Sequence, residues 1–183
     1  MIDEKSTLAD VCFEVSAALE THGMTGVLTG GSAAALYAPQ AYMSDDADFV
    51  LDADHSLDEI AIALETIGYD RDGRSRVFVH PKSKFTVDFP KGPLAVGGEY
   101  VRETDTIARG PLRLRILTPE DCMRDRLAHF YYWNDYTALN AAVGVARSVA
   151  AQDLAALRSW TERESPNFLE KFAEFERRVR QER

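Results

Sequence analysis

The sequence predicts an α+β fold, with a mixed β-sheet and its helices over residues 1–117 and a bundle of helices over residues 118–183. Three observations predict it. Short strand-like runs at Val27–Thr29, Asp46–Asp52 and Lys84–Phe89 are separated by stretches whose apolar residues recur at helical spacing. Glycine and proline punctuate the first part, at Gly68, Lys91–Gly98 and Gly110-Pro111. From Thr118 onward the strand-like runs stop and every apolar pattern is helical.

In chain order, Ser6 to Glu20 reads as a helix with Leu8, Val11, Cys12, Val15 and Leu19 on one face. His22 to Gly26 ends it and leads into the first strand. Two glycines and Ser32 follow that strand, and Ser32 is the expected N-cap of a short helix, Ala33–Tyr37. After the second strand, Ser56 and Glu59 fit a capping box for a helix at Leu57–Ile67, stopped by Gly68. Asp70 to Arg74 reads as a polar turn. Arg76–His80 and Lys84–Phe89 read as a hairpin joined around Pro81-Lys82-Ser83, and Lys91 to Gly98 as a loop. Thr104–Arg109 and Leu112–Leu117 are the last strand-like pieces.

Thr118 then caps a helix with Pro119 at its first position, running to about Trp133. Further helices are expected at Tyr136–Val149 and Gln152–Glu162. A fourth opens at Ser165-Pro166, with Phe168, Phe172, Phe175 and Val179 as an apolar stripe.

Composition narrows the function classes. Of 183 residues 45% are hydrophobic, which is enough for a full core, and no apolar run approaches the roughly eighteen residues of a membrane span. Met1-Ile2-Asp3-Glu4-Lys5 lacks the features of an export leader. Cys12 and Cys122 are isolated and read as small buried hydrophobes in a reducing compartment, so cytoplasm is expected. The net charge of −9 argues against a general nucleic-acid coat. Residues 1–70 carry one basic side chain, Lys5, whereas residues 71–126 are net basic. An acidic half therefore faces a basic middle, a junction suited to a cation and a polyphosphate.

The chemistry concentrates in two stretches. Gly30 and Gly31 let the backbone approach a ligand with no side chain in the way, and the helix start behind them offers N–H groups to a phosphate. On the following strand Asp46 and Asp48 lie two apart and share a face, while Ala47, Phe49 and Leu51 turn inward. Adjacent carboxylates repel, and a hard cation such as Mg²⁺ relieves that repulsion. A calcium loop starting at Asp46 is excluded, because Leu51 and Leu57 stand where it needs Gly and Glu.

Gly31-Ser32, thirteen residues, then Asp46-Ala47-Asp48-Phe49 resembles the signature of the nucleotidyltransferase superfamily, whose fold is shared with DNA polymerase β. The resemblance implies a third carboxylate on a later strand. Asp88 fits, since Lys84, Thr86 and Asp88 alternate with core-facing Phe85, Val87 and Phe89. It implies transfer of a nucleoside monophosphate from an NTP to a hydroxyl, with Mg²⁺ held by Asp46, Asp48 and Asp88. Gly30, Gly31 and Ser32 would then take the β/γ-phosphates, and Lys84 would neutralise one of them. Leu117-Thr118-Pro119-Glu120-Asp121, Arg126-Leu127 and Asn134-Asp135 are similar to the helical part of AbiEii-type toxins, with Asn134 where Lys is usual. That adds Arg126 as a triphosphate contact, Asp135 as its orienter and an antitoxin protein as partner. The acceptor stays open between an RNA 3′ end, a protein hydroxyl and a small molecule such as an aminoglycoside. The alternative function is a nucleotidyltransferase-like domain that binds nucleotide or protein and turns nothing over. The run Phe130-Tyr131-Tyr132-Trp133 is expected to be mostly core, its other reading being a base-stacking surface, and His22, His80 and His129 are expected to be structural.

Overall fold

The computed structural model describes residues 2–149 and 153–181. Helix α1 spans Leu8–Thr21, capped by Thr7 in a reciprocal box with Asp10. Strand β1 (Gly26–Thr29) runs directly into helix α2 (Gly30–Tyr37). Strand β2 (Asp46–Leu51) and helix α3 (Leu57–Glu65) follow, and both halves of the Ser56–Glu59 capping box form as expected. Next come β3 (Asp70–Arg71), β4 (Val77–Val79), β5 (Thr86–Asp88), and a small hairpin of β6 (Ala95–Val96) and β7 (Glu99–Tyr100). Strands β8 (Thr104–Arg109) and β9 (Leu112–Leu117) close the first part, with limits that match the sequence reading.

Seven strands form one mixed sheet in the order β3-β4-β5-β2-β1-β9-β8. Strand β1 pairs antiparallel with β2 and parallel with β9, and β2 pairs parallel with β5. The register matters most at one level of the sheet. Thr29 on β1 lies opposite Asp48 on β2, and Asp48 lies opposite Asp88 on β5. The acids are thus set by backbone ladders that cannot slip without turning every side chain to the other face.

The helical part contains α4 (Pro119–Trp133), α5 (Tyr136–Ser148), α6 (Leu154–Glu164), a one-turn 3₁₀ helix at Pro166–Phe168, and α7 (Leu169–Gln181). Thr118 caps α4 as expected, through Asp121 N–H. Gln152, the expected start of α6, lies outside the described residues. Helix α2 packs against β2 on one side and against α4 and α5 on the other. The approach of α5 is close at Gly144, where a Cβ would come within 2.9 Å of the Ala41 Cβ. One apolar cluster reaches from Ile2 to Val179 through Phe49, Phe78, Leu127, Trp160 and Phe175. Among the described residues no helix is long and apolar enough to cross a membrane.

Several expectations need correction. Asp70-Arg71 is a short edge strand paired to β4 rather than part of a turn, and the 91–98 loop carries β6. Two-residue strands show no period, so their pairing partners define them. The aromatic run divides: Phe130 and Tyr131 are buried, whereas Tyr132 and Trp133 are 52% and 68% exposed. Four consecutive helical residues cannot all face one core. Cys12 and Cys122 are free and buried as expected, and burial pushes both thiols up, out of the reactive range.

Candidate active site

At the end of β1 the chain enters α2 with no loop. Thr29 occupies the N-cap position, but no side chain caps the helix. The Thr29 hydroxyl donates instead to the Asp48 carbonyl at 3.3 Å. Ser32 is therefore not the N-cap, contrary to the sequence reading; it sits inside the first turn and is fully buried. Its hydroxyl donates to the Thr29 carbonyl at 2.8 Å and accepts the Asp48 N–H at 3.1 Å. Ser32 thus ties the helix start to the strand that bears the acids. Ser32→Ala leaves the Asp48 N–H without a partner, and about 1–3 kcal/mol of stability is expected to go with it. A lower denaturation midpoint reads that loss.

Gly30 has φ +65°, in the left-handed region, and a Cβ there would lie 2.2 Å from Asp48 Oδ2. Only glycine lets the carboxylate of Asp48 settle over the helix start. Gly30, Gly31, Asp46 and Asp48 line one cavity of about 490 Å³, whose far wall is Asp125, Arg126, His129 and Asp135. Ser44 Oγ donates to Asp46 Oδ1 at 2.7 Å and aims that carboxylate. Asp48 is the electrostatic centre. Burial, then the Asp46 and Asp88 carboxylates, push its acid up to about 7.

Asp88 is Asp48's neighbour across the parallel ladder, but it does not line the cavity, and its Oδ1 accepts the Phe89 N–H at 2.8 Å. Lys84 lies outside β5, is exposed, and rests over the Phe85 ring at 4.9 Å, beside a different depression. The expected alternation holds, with Phe85, Val87 and Phe89 buried, but the strand begins two residues after Lys84, and Lys84 is not part of the acid-bearing cavity. Arg126 does reach the cavity wall, with Nε and Nη2 donating to Asp125 Oδ2 at 2.9 and 2.6 Å. Asp135 also lines the cavity, while its Oδ1 caps α5 by accepting the Thr137 and Ala138 N–H groups.

Ser44, Lys91 and Asp125, to which the sequence assigned no site role, line the cavity, and so does His129, which was expected to be structural. Ser44 was the most accessible of these, a hydroxyl two residues ahead of the acid it holds. Burial, then the Arg126 guanidinium, hold the His129 imidazole below its ordinary range. His80, by contrast, packs on Tyr69 at 5.2 Å and accepts the Lys82 N–H, a structural role as expected.

The donor set suits a hard divalent cation through two carboxylates, with water and phosphate completing the shell. Burial raises the Asp48 acid first, and the Asp46 and Asp88 carboxylates add repulsion of the kind such a cation relieves. Among the described residues, no group of three or more His, Cys, Asp or Glu side chains is arranged to hold a metal ion by itself.

No protein-family model matches the sequence, and no curated protein matches it. Solved structures do match in three dimensions. An antigenic nucleotidyltransferase-like protein from Paracoccidioides brasiliensis aligns with a TM-score of 0.60 and 13% identity, over 91% of this chain and 92% of its own. The fold is nucleotidyltransferase-like. The antibiotic-resistance factor ANT(2'')-Ia aligns with a TM-score of 0.54 and 13% identity, over 90% of this chain and 92% of its own. The nucleotidyltransferase-like fold therefore includes the helices after residue 117 as well as the sheet.

Proposed function

We propose that the protein moves a nucleoside monophosphate from an NTP to an acceptor hydroxyl. The carrying observation is the meeting of Asp46 and Asp48 with an uncapped helix start in one cavity. The nucleotidyltransferase-like fold supports the same reading.

In this reading Gly30 and Gly31 place backbone N–H groups against the β/γ-phosphates. Asp46 and Asp48 would hold Mg²⁺, which would supply charge neutralisation at the phosphates when bound. Arg126, kept in place by Asp125, faces the triphosphate across the cavity. The acceptor oxygen forms a bond to the α-phosphorus as the bond to the β-phosphate oxygen breaks, and pyrophosphate leaves. The hydroxyl proton passes to a carboxylate, for which Asp88 is the assigned base. Chemistry of this type depends on positioning and charge more than on covalent participation.

Magnesium-dependent pyrophosphate release, assayed with each NTP, tests the reading. Asp46→Ala and Asp88→Ala are each expected to abolish it, and loss on Asp46→Ala alone excludes Asp88 as base. A small hydroxylated molecule is the acceptor class that the likeness to an antibiotic-resistance factor favours. The AbiEii-type motif at residues 117–135 gives the finer form of the reading, a toxin neutralised by an antitoxin protein in the cytoplasm. Growth arrest on expression of the wild type but not of Asp46→Ala tests that form. A second reading, nucleotide binding without turnover, is favoured by the place of Asp88 outside the cavity lining. NTP binding with no pyrophosphate release distinguishes it.

A further inference from the structure

Next to the acid-bearing cavity is a second hollow of about 630 Å³, walled by Asp125, His129, Tyr132, Trp133, Arg163 and Glu164. Asp125 and His129 line both, so the two spaces share a wall. Tyr132 and Trp133 present large rings to this hollow while their neighbours Phe130 and Tyr131 are buried. Both exposed rings are braced. The Tyr132 hydroxyl donates to Glu164 Oε2 at 3.0 Å, and Phe168 packs edge-on to its ring at 5.1 Å. Trp133 leans on His129 at 4.8 Å and on Tyr132 at 6.0 Å. Rings held this way lose little freedom when a ligand covers them.

The charges around the rings are matched within the protein. Asp125 pairs with Arg126, Arg163 pairs with Glu99, and Glu164 accepts from Tyr132 and from the Gly98 N–H at 2.8 Å. What the hollow offers a ligand is therefore ring surface, which suits a flat, uncharged group. Across Asp125 and His129 the hollow adjoins the cavity of Gly30, Gly31 and the paired acids. We propose that Tyr132 and Trp133 form a stacking shelf for a nucleobase. The shelf takes its role from the nucleotidyl-transfer reading, but its test does not depend on turnover. Two sources share this chemistry: the base of the NTP, or a base carried by the acceptor.

The protein has two tryptophans, and Trp160 is fully buried, so a change in fluorescence on ligand addition reports Trp133. Each of the four nucleosides, ATP and inorganic tripolyphosphate are titrated in turn. At least one nucleoside is expected to quench, whereas tripolyphosphate leaves the signal unchanged. Trp133→Ala is expected to weaken binding of the matching NTP at least about fivefold in calorimetry, with Trp133→Phe restoring most of it. Circular dichroism checks that both variants fold. Saturation with a non-hydrolysable NTP then separates the sources: lost nucleoside quenching assigns the shelf to the NTP, and persistent quenching assigns it to the acceptor. The shelf is overturned if no nucleoside quenches and Trp133→Ala binds every NTP as the wild type does. Transfer with no nucleoside quenching and unaltered NTP binding by Trp133→Ala removes the shelf alone, and quenching without transfer removes the transfer reading alone.

Discussion

Asp48→Asn is expected to stabilise the metal-free protein and, in the same molecule, to remove its activity. The folded protein holds the Asp48 acid up at about 7, by burial first and then by Asp46 and Asp88, whereas an unfolded carboxylate titrates near 3.8. Between those two values the fold retains a proton that the unfolded chain has released. The Asp48 contribution to metal-free stability is therefore fully present below about pH 4, falls away as pH rises through 4 to 7, and is level above that. The loss amounts to about 4 kcal/mol as an upper bound. An amide carries no charge to bury, so the variant's melting temperature should be nearly flat over this window and should exceed that of the wild type at pH 8. Calorimetry in EDTA from pH 4 to pH 8 measures both, and a wild-type curve that is flat over that range would falsify the role given to Asp48. Activity goes the other way. On the nucleotidyl-transfer reading, the neutral amide would hold Mg²⁺ less tightly than a carboxylate, and pyrophosphate release should drop by about 10³-fold or more. Added Mg²⁺ should raise the wild-type melting temperature above pH 7 and leave the variant's unchanged.

Gly30→Ala is expected to destabilise the protein and to disable the site through one atom. An alanine at φ +65° is strained by roughly 1–2 kcal/mol from its backbone alone. Its Cβ would also lie 2.2 Å from Asp48 Oδ2, too close for any relaxed contact, so the carboxylate must leave its seat. Overpacking of that kind adds about 1–3 kcal/mol. The combined loss of roughly 2–5 kcal/mol should appear as a lower denaturant midpoint, with transfer falling because Asp48 has moved. A double-variant cycle isolates the cause. Asp48→Ala removes the obstructing atom, so Gly30→Ala should cost less stability in that background, while activity stays absent.

Much of the fold was legible because its local signals agree with its packing. The Ser56–Glu59 box and the Thr118-Pro119 start each satisfy helix donors within a few residues, so no distant partner is needed to read them. Strands β8 and β9 are six residues each, long enough to show their pattern around Gly110-Pro111. Strands β3, β6 and β7 are two residues each and owe their existence to neighbours the sequence does not display. At the site, the pattern of Asp46 and Asp48 was enough to bring them into one cavity with Gly30 and Gly31. Ser32 was misread because Thr29, itself a good capping residue, takes the N-cap position and leaves the Ser32 hydroxyl inside the first turn. Asp125 had no assigned site role and His129 was read as structural, because nothing in a helical stretch reveals which turn overhangs a distant strand.

The level pairing of Thr29, Asp48 and Asp88 across three strands has a consequence for how such a protein can change. A central sheet tolerates no insertion at that level, whereas the connections at 52–56 and 90–94 only border the cavity and its neighbouring depression. On the nucleotidyl-transfer reading, substrate preference would be free to be rewritten in those connections while the acids keep their seats. New acceptors would be gained by editing the rim, with the chemistry inherited intact from the middle.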